Sequence, residues 1–475
     1  MAERTVTTLD GKSTKVDQSA VDALAAQLTG DLLTPESVDY DEARTLWNAM
    51  IDRRPALIVE CGSAADVAPA INFAREHGVL LSVCGAGHNI AGNAMAEGGL
   101  SISFKKMRGV EVDPASRTVR VEPGATLGDL DAATQIHGLA VPTGINSTTG
   151  IAGLTLGGGF GWLSRRYGMT VDNLLGVDVV SADGETLRAS ESQNAELFWG
   201  LRGGGGNFGV VTSFEFRAHP VGPEVLAGLI VHPFSDAEAV LRAYREFAST
   251  APDEVTVWVV MRKAPPLPFL PAEVHGTEVV VLAAMYAGDI EEGEEALAPM
   301  RAAGNPIADV IGPTPFVGWQ QAFDPLLTPG ARNYWKTHDF ADMGDRLLET
   351  VLNFTARLPS PQTEIFIAQL GGAQGRVDDD ATAYQGRSAA FLMNVHGRWD
   401  SADEDESMTG WCRELFDATA PFATGEAYVN FMTEEEAGRV SAAYGSSYER
   451  LVALKDEHDP NNLFRMNQNI PPSGA

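Results

Sequence analysis

The chain has 475 residues, 44% of them hydrophobic and 8% aromatic, so it can bury a large core and is long enough for two domains. Its 64 acidic residues outnumber the 34 basic ones, and at a formal net charge of -30 long-range repulsion disfavours nucleic acid and anionic membranes as partners. Because the acidic residues are spread along the chain, we interpret them as a solvated surface, with a high-salt habitat as the alternative.

Residues 56–104 alternate between strand and helix patterns, which predicts an α/β unit. Strands are predicted at 56–59, 80–83 and 100–103, and a helix at 64–77. Ser63 is placed to cap this helix and Gly78 to end it, whereas Pro69 is expected to tighten or kink its first turns.

Residues 105–220 continue the first domain with further strands and helices. The turn residues at 113–116 predict a hairpin. Thr126 and Asp129 together predict a capping box for a helix that opens at Leu127. The strands of this region are predicted at 110–112, 118–121, 176–181, 186–189 and 210–216.

From Pro220 onward the glycine-rich loops stop and the pattern predicts an α+β second domain with an antiparallel sheet. The proline-rich run 263–271 predicts an exposed connection. At the end of the chain, a helix at 447–455 and a turn at 458–462 precede a segment that we expect to dock against the fold. Within the second domain, strands are predicted at 255–260 and 278–282, and helices at 235–249 and 289–303.

The three cysteines, at positions 61, 84 and 412, show neither CxxC spacing nor an even count, so we predict reduced thiols and no metal site. The start of the chain lacks a basic segment followed by an apolar run, and no eighteen apolar residues occur in succession. We therefore expect a cytoplasmic protein with no membrane segment.

Three glycine-dense stretches dominate the first domain, at 83–92, 144–161 and 203–212. In the first, glycine backbones permit positive φ and let main-chain N–H groups converge on an anion such as a diphosphate; a tight structural turn is the alternative. The spacing fits neither GxGxxG with its ribose-binding acid nor GxxxxGK[ST]. In the second and third, so many residues without side chains predict that something flat approaches the backbone closely.

Four runs resemble the berberine bridge enzyme-like branch of the vanillyl alcohol oxidase and p-cresol methylhydroxylase flavoproteins. They are CGAGHNIAG, TGIAGLTLGGGFGWLSRRYGMTVDNL, LFWGLRGGGGNFGVVT and DPNNLFRMNQNIPP, in that order. The resemblance spans roughly residues 40–220 and 425–472. It implies an α+β fold with an FAD-binding domain at 1–220, a substrate domain with an antiparallel sheet at 221–415, and a segment at 416–475 that returns to the first domain.

The resemblance also implies FAD attached by a single covalent link from its 8α carbon to His88, which would strengthen the oxidant and prevent cofactor loss. For any single contact residue, plain packing is the alternative. The implied contacts are Gly85, Ala86, Gly87 and Asn89 at the diphosphate; Gly150, Gly153, Gly157 and Gly158 beside the ring and phosphates; Gly209 and Val211 near the adenine; and Asn467 at the ring.

Two positions depart from the family pattern. Relatives with a doubly attached flavin carry a cysteine before Gly150, but residues 144–149 contain none, so a single attachment is expected. Cys84 stands where many relatives have arginine, and we interpret it either as a neutral core substitution or as a thiol near the cofactor.

For catalysis, Tyr428 and Asn430 resemble the family's Tyr-x-Asn segment, whose tyrosine faces the flavin. A tyrosine whose pKa is lowered by a cation or hydrogen bonds can take a substrate proton, so Tyr428 is the candidate base; an ordinary strand aromatic is the alternative. Lys336 is the candidate cation. The segments 334–338 and 396–399 are placed to line the substrate side.

The resulting hypothesis is an oxidase that moves a hydride from an alcohol, sugar or amine-type small molecule to FAD and then to O2. A dehydrogenase with another acceptor and a flavin-holding binding protein without turnover remain the alternatives. A nucleic-acid-binding module is disfavoured, because basic clusters interleaved with aromatic residues are lacking.

Overall fold

The computed structural model describes residues 3–474, and its first layer is a small α/β unit. This unit consists of β1 (Glu3–Thr7), β2 (Ser13–Asp17), α1 (Gln18–Ala25), β3 (Asp31–Leu33), α2 (Tyr40–Arg44), β4 (Leu57–Glu60), α3 (Val67–His77), β5 (Leu81–Cys84) and β6 (Leu100–Ser103). The sheet order is β3-β4-β6-β5, with parallel pairing of β4 and β5 to β6 and antiparallel pairing of β3 to β4. The predicted α/β alternation is confirmed.

The helix predicted at 64–77 is confirmed, with one local difference at its start. Ser63 and Asp66 form a reciprocal capping box around a 3-10 turn, and α3 proper begins at Val67. Pro69 falls in the first turn of α3, where its missing N–H has no intrahelical partner to lose, so the helix is not broken. Gly78 ends α3 in the left-handed conformation at φ 63°.

A second, antiparallel sheet of five strands follows, in the order β11-β10-β12-β8-β7. The elements of this region are β7 (Val110–Asp113), β8 (Thr118–Val121), α4 (Leu127–Gln135), β9 (Leu139–Ala140), α5 (Ile151–Leu156), α6 (Ser164–Tyr167), β10 (Leu174–Val180), β11 (Thr186–Ser190), α7 (Ala195–Leu201), β12 (Val210–Arg217) and β13 (His219–Pro220). The predicted β7–β8 hairpin is confirmed, and so is the Thr126–Asp129 capping box.

The second glycine-dense stretch is not entirely a loop, because α5 forms inside it. The high glycine content hid a short helical pattern in which Ile151 and Thr155, four residues apart, are buried on one face. Gly153 lies on the opposite face of α5, and because it has no side chain this part of the helix surface is open.

The second half of the chain builds the predicted antiparallel sheet, in the order β17-β14-β16-β15-β20-β21-β19 with β18 beside β14. Its elements are β14 (Glu224–Pro233), α8 (Ala237–Ala248), β15 (Val255–Lys263), β16 (Glu278–Tyr286), α9 (Ile290–Arg301), β17 (Ala308–Asp309), β18 (Gly312–Pro315), α10 (Phe316–Gln320), β19 (Arg332–Phe340), α11 (Asp345–Thr355), β20 (Glu364–Gln369), β21 (Phe391–Trp399) and α12 (Asp405–Thr419). The whole fold is α+β, as expected.

The two faces of this large sheet have different partners, because side chains alternate along each strand. On β15, Val257 and Val259 point into a core with α8, α9, α11 and α12. Trp258 points to the other face, where it meets Phe160 and Trp162 from the first part of the chain. The inner face of the sheet therefore looks toward the glycine-rich loops.

The last segment, with α13 (Val440–Tyr444) and α14 (Tyr448–His458), returns to the amino-terminal part of the fold. The helix predicted at 447–455 is confirmed at Tyr448–His458, starting one residue later and ending three residues later. Phe464 packs into the core of the first layer, and Ile470 packs into the core of the five-stranded sheet. This packing supports the division at about residues 220 and 415, which we retain as a proposal.

A buried ion pair fixes this returning segment. Lys455 and Asp459 are fully buried with Nζ 2.7 Å from Oδ2. Lys455 also donates to the carbonyls of Asn207 and Phe464, and Asp459 accepts from the backbone N–H groups of Leu463 and Phe464. We predict that Lys455→Met lowers the free energy of unfolding by about 3–5 kcal/mol in urea titration, because Asp459 keeps a buried charge without its partner.

Lys12→Met is the matched control, since it removes the ion pair with Asp10 in which both side chains are mostly exposed. It is expected to leave the unfolding midpoint unchanged. Equal shifts for Lys455→Met and Lys12→Met would contradict the structural role of the buried pair.

Candidate active site

One cavity, here called the central cavity, lies between the glycine-rich loops and the inner face of the large sheet. It continues to residues 428–431 and 464–468 of the returning segment. Most of the residues singled out in the sequence line it. They are Gly85, Ala86, Gly87, His88, Asn89, Gly150, Gly153, Gly157, Gly209, Val211, Tyr428, Asn430 and Asn467.

Two of the expected site residues lie elsewhere. A Cβ on Gly158 would stand 2.8 Å from the Tyr384 ring, and its φ is 124°, so this glycine serves local packing. Lys336 Nζ is engaged by Glu435 at 2.7 Å and Glu436 at 3.3 Å. Neither Gly158 nor Lys336 lines the central cavity. Two carboxylates from the returning segment pair with Lys336, so these contacts give no support to Lys336 as the cation beside Tyr428.

The glycines fall into two groups by what an added side chain would meet. At Gly153 and Gly206 a Cβ would find no atom within 4 Å, so these backbones border open space in the cavity. At Gly157 a Cβ would stand 2.3 Å from Asn430 Oδ1, and at Gly150 one would stand 2.8 Å from Ala86 Cβ. Gly153 and Gly206 therefore leave room for a flat ligand. Gly150 and Gly157 allow neighbouring segments of the cavity wall to pack closely against each other.

His88 is held by two side chains. Its ring stacks on Trp47 with centroids 5.0 Å apart and planes 21° apart. Its Nε2 lies 3.0 Å from Thr148 Oγ1. Burial lowers the pKa of His88 to about 4, so the imidazole is neutral at pH 7.

Cys84 belongs to the core. It is buried beside Leu46, Ala94 and Met95, and it does not line the central cavity. Burial raises the pKa of its thiol, with Lys105 opposing this effect. Of the two interpretations of Cys84, this environment supports the core substitution.

Tyr428 and Asn430 form a hydrogen-bonded unit. Tyr428 Oη accepts from the backbone N–H of Gly159 and from Asn430 Nδ2, both at 3.0 Å. Asn430 Nδ2 also donates to the carbonyl of Leu154 at 3.1 Å. Burial raises the pKa of Tyr428 to about 12, although these two donors lower it. The expected lowering of its pKa is therefore wrong: desolvation of the phenolate outweighs the two hydrogen bonds.

The strand register assembles one polar row on the inner face of the sheet. Arg262 pairs with Glu364, Glu364 with His396, and His396 with Trp335, across four neighbouring strands. All four side chains line the central cavity, so segments 334–338 and 396–399 each contribute one residue to it. Sequence reasoning missed Arg262 and Glu364; a charged residue inside each of two otherwise apolar strands was the available signal.

Glu364 is the anionic group of this row. Its carboxylate lies 2.7 Å from Arg262 Nη1 and 3.4 Å from His396 Nδ1. Burial alone would raise the pKa of Glu364, but Arg262 and His396 lower it below its usual value. Burial lowers the pKa of His396. The row therefore offers a carboxylate, a guanidinium and a neutral imidazole at neutral pH.

The proline-rich run 263–271 is only partly an exposed connection. Phe269 is exposed, but Ala264 and Leu270 are buried. Pro265, Leu267, Phe269 and Leu270 also line the central cavity. The run therefore forms an apolar part of the cavity wall.

The residues present fit a flat cofactor with N–H donors. Asn467 Oδ1 is buried at the cavity and has no hydrogen-bond partner within residues 3–474. A cofactor N–H would satisfy this acceptor. Together with the open faces of Gly153 and Gly206, this orphaned oxygen supports binding of a flavin ring system.

Other kinds of site find no support in the described part of the chain. Nowhere in residues 3–474 do three or more His, Cys, Asp or Glu side chains gather as metal ligands would. Over the same residues, no helix combines the length and apolarity needed to cross a membrane.

Comparison with known proteins identifies the type of ligand. Residues 55–190 match the FAD binding domain family, and residues 427–471 match the family described as berberine and berberine like. The chain is 31% identical to the FAD-linked oxidoreductase YgaK of Bacillus subtilis, over 94% of this chain and 98% of that protein. It is 29% identical to (R)-6-hydroxynicotine oxidase of Paenarthrobacter nicotinovorans, over 95% and 99%. The crystal structure of 6-hydroxy-D-nicotine oxidase from Arthrobacter nicotinovorans superposes with a TM-score of 0.84 at 28% identity, covering 94% of this chain and 98% of that one.

Proposed function

Because the chain belongs to the berberine bridge enzyme-like FAD-linked oxidoreductases, we propose that it is an oxidase carrying one FAD attached to His88. Its substrate is a small molecule with an alcohol, sugar or amine group. Bound FAD supplies the two-electron chemistry, taking a hydride from the substrate and passing the electrons to dioxygen, which leaves as hydrogen peroxide. The observation that supports this proposal most directly is that His88, the glycine-rich loops and the polar row of the sheet all line the same cavity.

The glycine-rich loops hold the cofactor in this proposal. The backbone from Gly85 to Asn89 takes the diphosphate, because main-chain N–H groups without side chains converge readily on an anion. Gly209 and Val211 lie toward the adenine, and Asn467 meets the ring through its orphaned Oδ1. Gly153 leaves space for the ring system.

Tyr428 acts on the substrate as a neutral phenol. Since its oxygen already accepts two N–H donors, its own hydrogen is available to a substrate oxygen or nitrogen. The same donors stabilise the oxygen when the proton shifts, so Tyr428 remains the candidate for proton transfer. The second candidate base is Glu364, because it lines the same cavity and is ionised at neutral pH.

The test of the proposed function is substrate oxidation by the purified protein. Under anaerobic conditions, alcohols, phenols, sugars and cyclic amines are added in turn while the flavin absorbance is followed. We expect at least one class to bleach it, and air to restore the colour with one hydrogen peroxide per substrate. Bleaching that only a dye or quinone reverses would favour the dehydrogenase, and no bleaching with any class would favour a binding protein without turnover.

Gly153→Val tests whether the flavin ring occupies the space beside Gly153 in α5. No neighbour lies within 4 Å of a Cβ at this position, so the fold should tolerate the change. The added side chain occupies space proposed for the ring, and such overpacking costs about 1–3 kcal/mol. We expect the flavin-to-protein ratio to fall roughly tenfold, as measured by absorbance of the denatured protein.

Gly410→Val in α12 is the control for this substitution, because a Cβ there also meets nothing within 4 Å but Gly410 does not line the central cavity. It should retain full flavin content. If Gly153→Val also retains it, the ring does not lie against α5.

A further inference from the structure

A second row of side chains crosses the inner face of the large sheet beside the polar row. It runs over the neighbouring strands β14, β16, β15, β20 and β21, and the strand register gives its members as Val231, Val281, Val260, Phe366 and Asn394. All five side chains line the central cavity. The first four are here called the apolar row, and Asn394 stands at its end.

The apolar row offers a ligand no hydrogen bond. Its side chains carry no polar atom, and the backbone groups of its strands pair with one another across the sheet. At the far end, Val231 and Val281 belong to a buried apolar cluster with Leu270 of the proline-rich run. An oligosaccharide lying here would leave hydroxyl groups buried without partners, which is costly. An apolar body up to about 14 Å long, the width of three strand spacings, fits the row.

Asn394 has the opposite character. Its side chain is fully buried, and within residues 3–474 neither its Oδ1 nor its Nδ2 has a hydrogen-bond partner. His396, two residues further along β21, lines the same cavity, so Asn394 also points to the inner face. Because buried amides are normally hydrogen-bonded, this unpaired donor and acceptor indicate a ligand group that can both accept and donate. A hydroxyl or a neutral amino group does both.

Tyr428 lies near the same end of the row as Asn394. The Tyr428 ring stands edge-on to Phe431, with centroids 4.9 Å apart, and Phe431 stands edge-on to Phe366 at 6.1 Å. Phe366 is the register neighbour of Asn394. A polar group bound at Asn394 is therefore on the same side of the cavity as the candidate for proton transfer.

We propose that the substrate is an amphipathic molecule and not a sugar: Asn394 binds its hydroxyl or amino head, and the apolar row takes its body. The inference rests on the proposed oxidase function and narrows the substrate to one class. It also makes Asn394 and Val281 residues that determine specificity.

The direct test is binding of a homologous series to the holoenzyme. The probes are para-alkylbenzyl alcohols with methyl to hexyl chains, and cellobiose is the polar comparison. Dissociation constants are measured by isothermal titration calorimetry without oxygen. We expect Kd to fall about threefold with each added CH2 group, because each one buries further apolar surface, and cellobiose to bind more weakly than every alcohol. A Kd independent of chain length, or tighter binding of cellobiose, would overturn the inference.

Flavin bleaching by the same compounds separates this inference from the proposed function. Bleaching by sugars alone would overturn the inference and leave the oxidase intact. Bleaching by none of the substrate classes would refute the oxidase, and binding that tightens with chain length would then assign the cavity to the same class of ligand without turnover. Binding that tightens with chain length, together with bleaching, supports both.

Val281→Thr tests the placement of the apolar body. Threonine keeps the shape of valine and adds a hydroxyl that has no partner beside an alkyl chain. Val281 lies three strand spacings, about 14 Å, from Asn394, so the hexyl chain reaches it and the methyl group does not. We expect Kd of the hexyl compound to rise about fivefold to tenfold and that of the methyl compound to stay unchanged.

Val310→Thr is the control, because Val310 is exposed and does not line the central cavity. It should leave both dissociation constants unchanged. Equal effects of Val281→Thr on the hexyl and methyl compounds would contradict the placement of the body along the row.

Asn394→Leu tests the head. Leucine keeps the size of the side chain and removes both polar atoms, so Kd should rise roughly tenfold for every alcohol, whatever its chain length. The free energy of unfolding should not fall, because the amide that is lost has no partner in the described part of the chain. Lower stability with unchanged dissociation constants would show a purely structural role and overturn the assignment of Asn394.

Discussion

His88→Ala protein is expected to give a colourless pellet on acid precipitation, with all of its flavin in the supernatant. The substitution removes the only atoms proposed to bond the cofactor, while the glycine-rich loops that line the central cavity remain. Flavin content should fall below one per chain, because the cofactor now exchanges with solvent. Turnover with any substrate found for the wild type should fall at least tenfold, since the link favours the reduced flavin.

His458→Ala is the control for this result. His458 ends α14 and is no part of the central cavity. Its variant should give a yellow pellet and wild-type flavin content. A yellow pellet from His88→Ala would mean that the flavin is attached to another residue.

Tyr428→Phe is expected to keep its covalent flavin and lose turnover. The change removes the oxygen that accepts from Gly159 and Asn430, and with it the hydrogen proposed to reach the substrate. Proton transfer by a positioned side chain contributes roughly a hundredfold or more to rate. We expect the rate of anaerobic flavin bleaching by substrate, measured by stopped flow, to fall by about that factor.

Tyr384→Phe is the matched control, because the Tyr384 ring lies 6.3 Å from that of Tyr428 and does not line the central cavity. Its bleaching rate should stay within about twofold of the wild type. If Tyr428→Phe also keeps the wild-type rate, proton transfer belongs to another group, and Glu364 becomes the first residue to test.

The fold could be predicted from the sequence wherever the signal is local. Ser63 and Gly78 mark the ends of one helix, and Thr126 marks the start of another, because capping depends on residues a few positions apart. The change in pattern near Pro220 likewise indicated the large antiparallel sheet. The short helix at Ile151–Leu156 was missed because the glycines on either side of it outweighed its two buried positions.

The site was less accessible to sequence reasoning, because its partners are far apart in the chain. Arg262 contacts Glu364 because the register of two strands places them side by side. Trp47 contacts His88 because the folded chain brings two separate segments together. Tyr428 could be singled out by its motif, but the direction of its pKa shift depends on burial, which no motif reports. Lys336 forms ion pairs with Glu435 and Glu436, and the sequence alone did not indicate this pairing.

Peptide mapping of the purified wild-type protein tests the central claim most directly. The protein is precipitated with acid and digested, and each peptide is examined for flavin absorbance and mass. We predict a yellow pellet and one flavin-bearing peptide, with FAD attached at His88. A white pellet, or flavin on a peptide that lacks His88, would contradict the account.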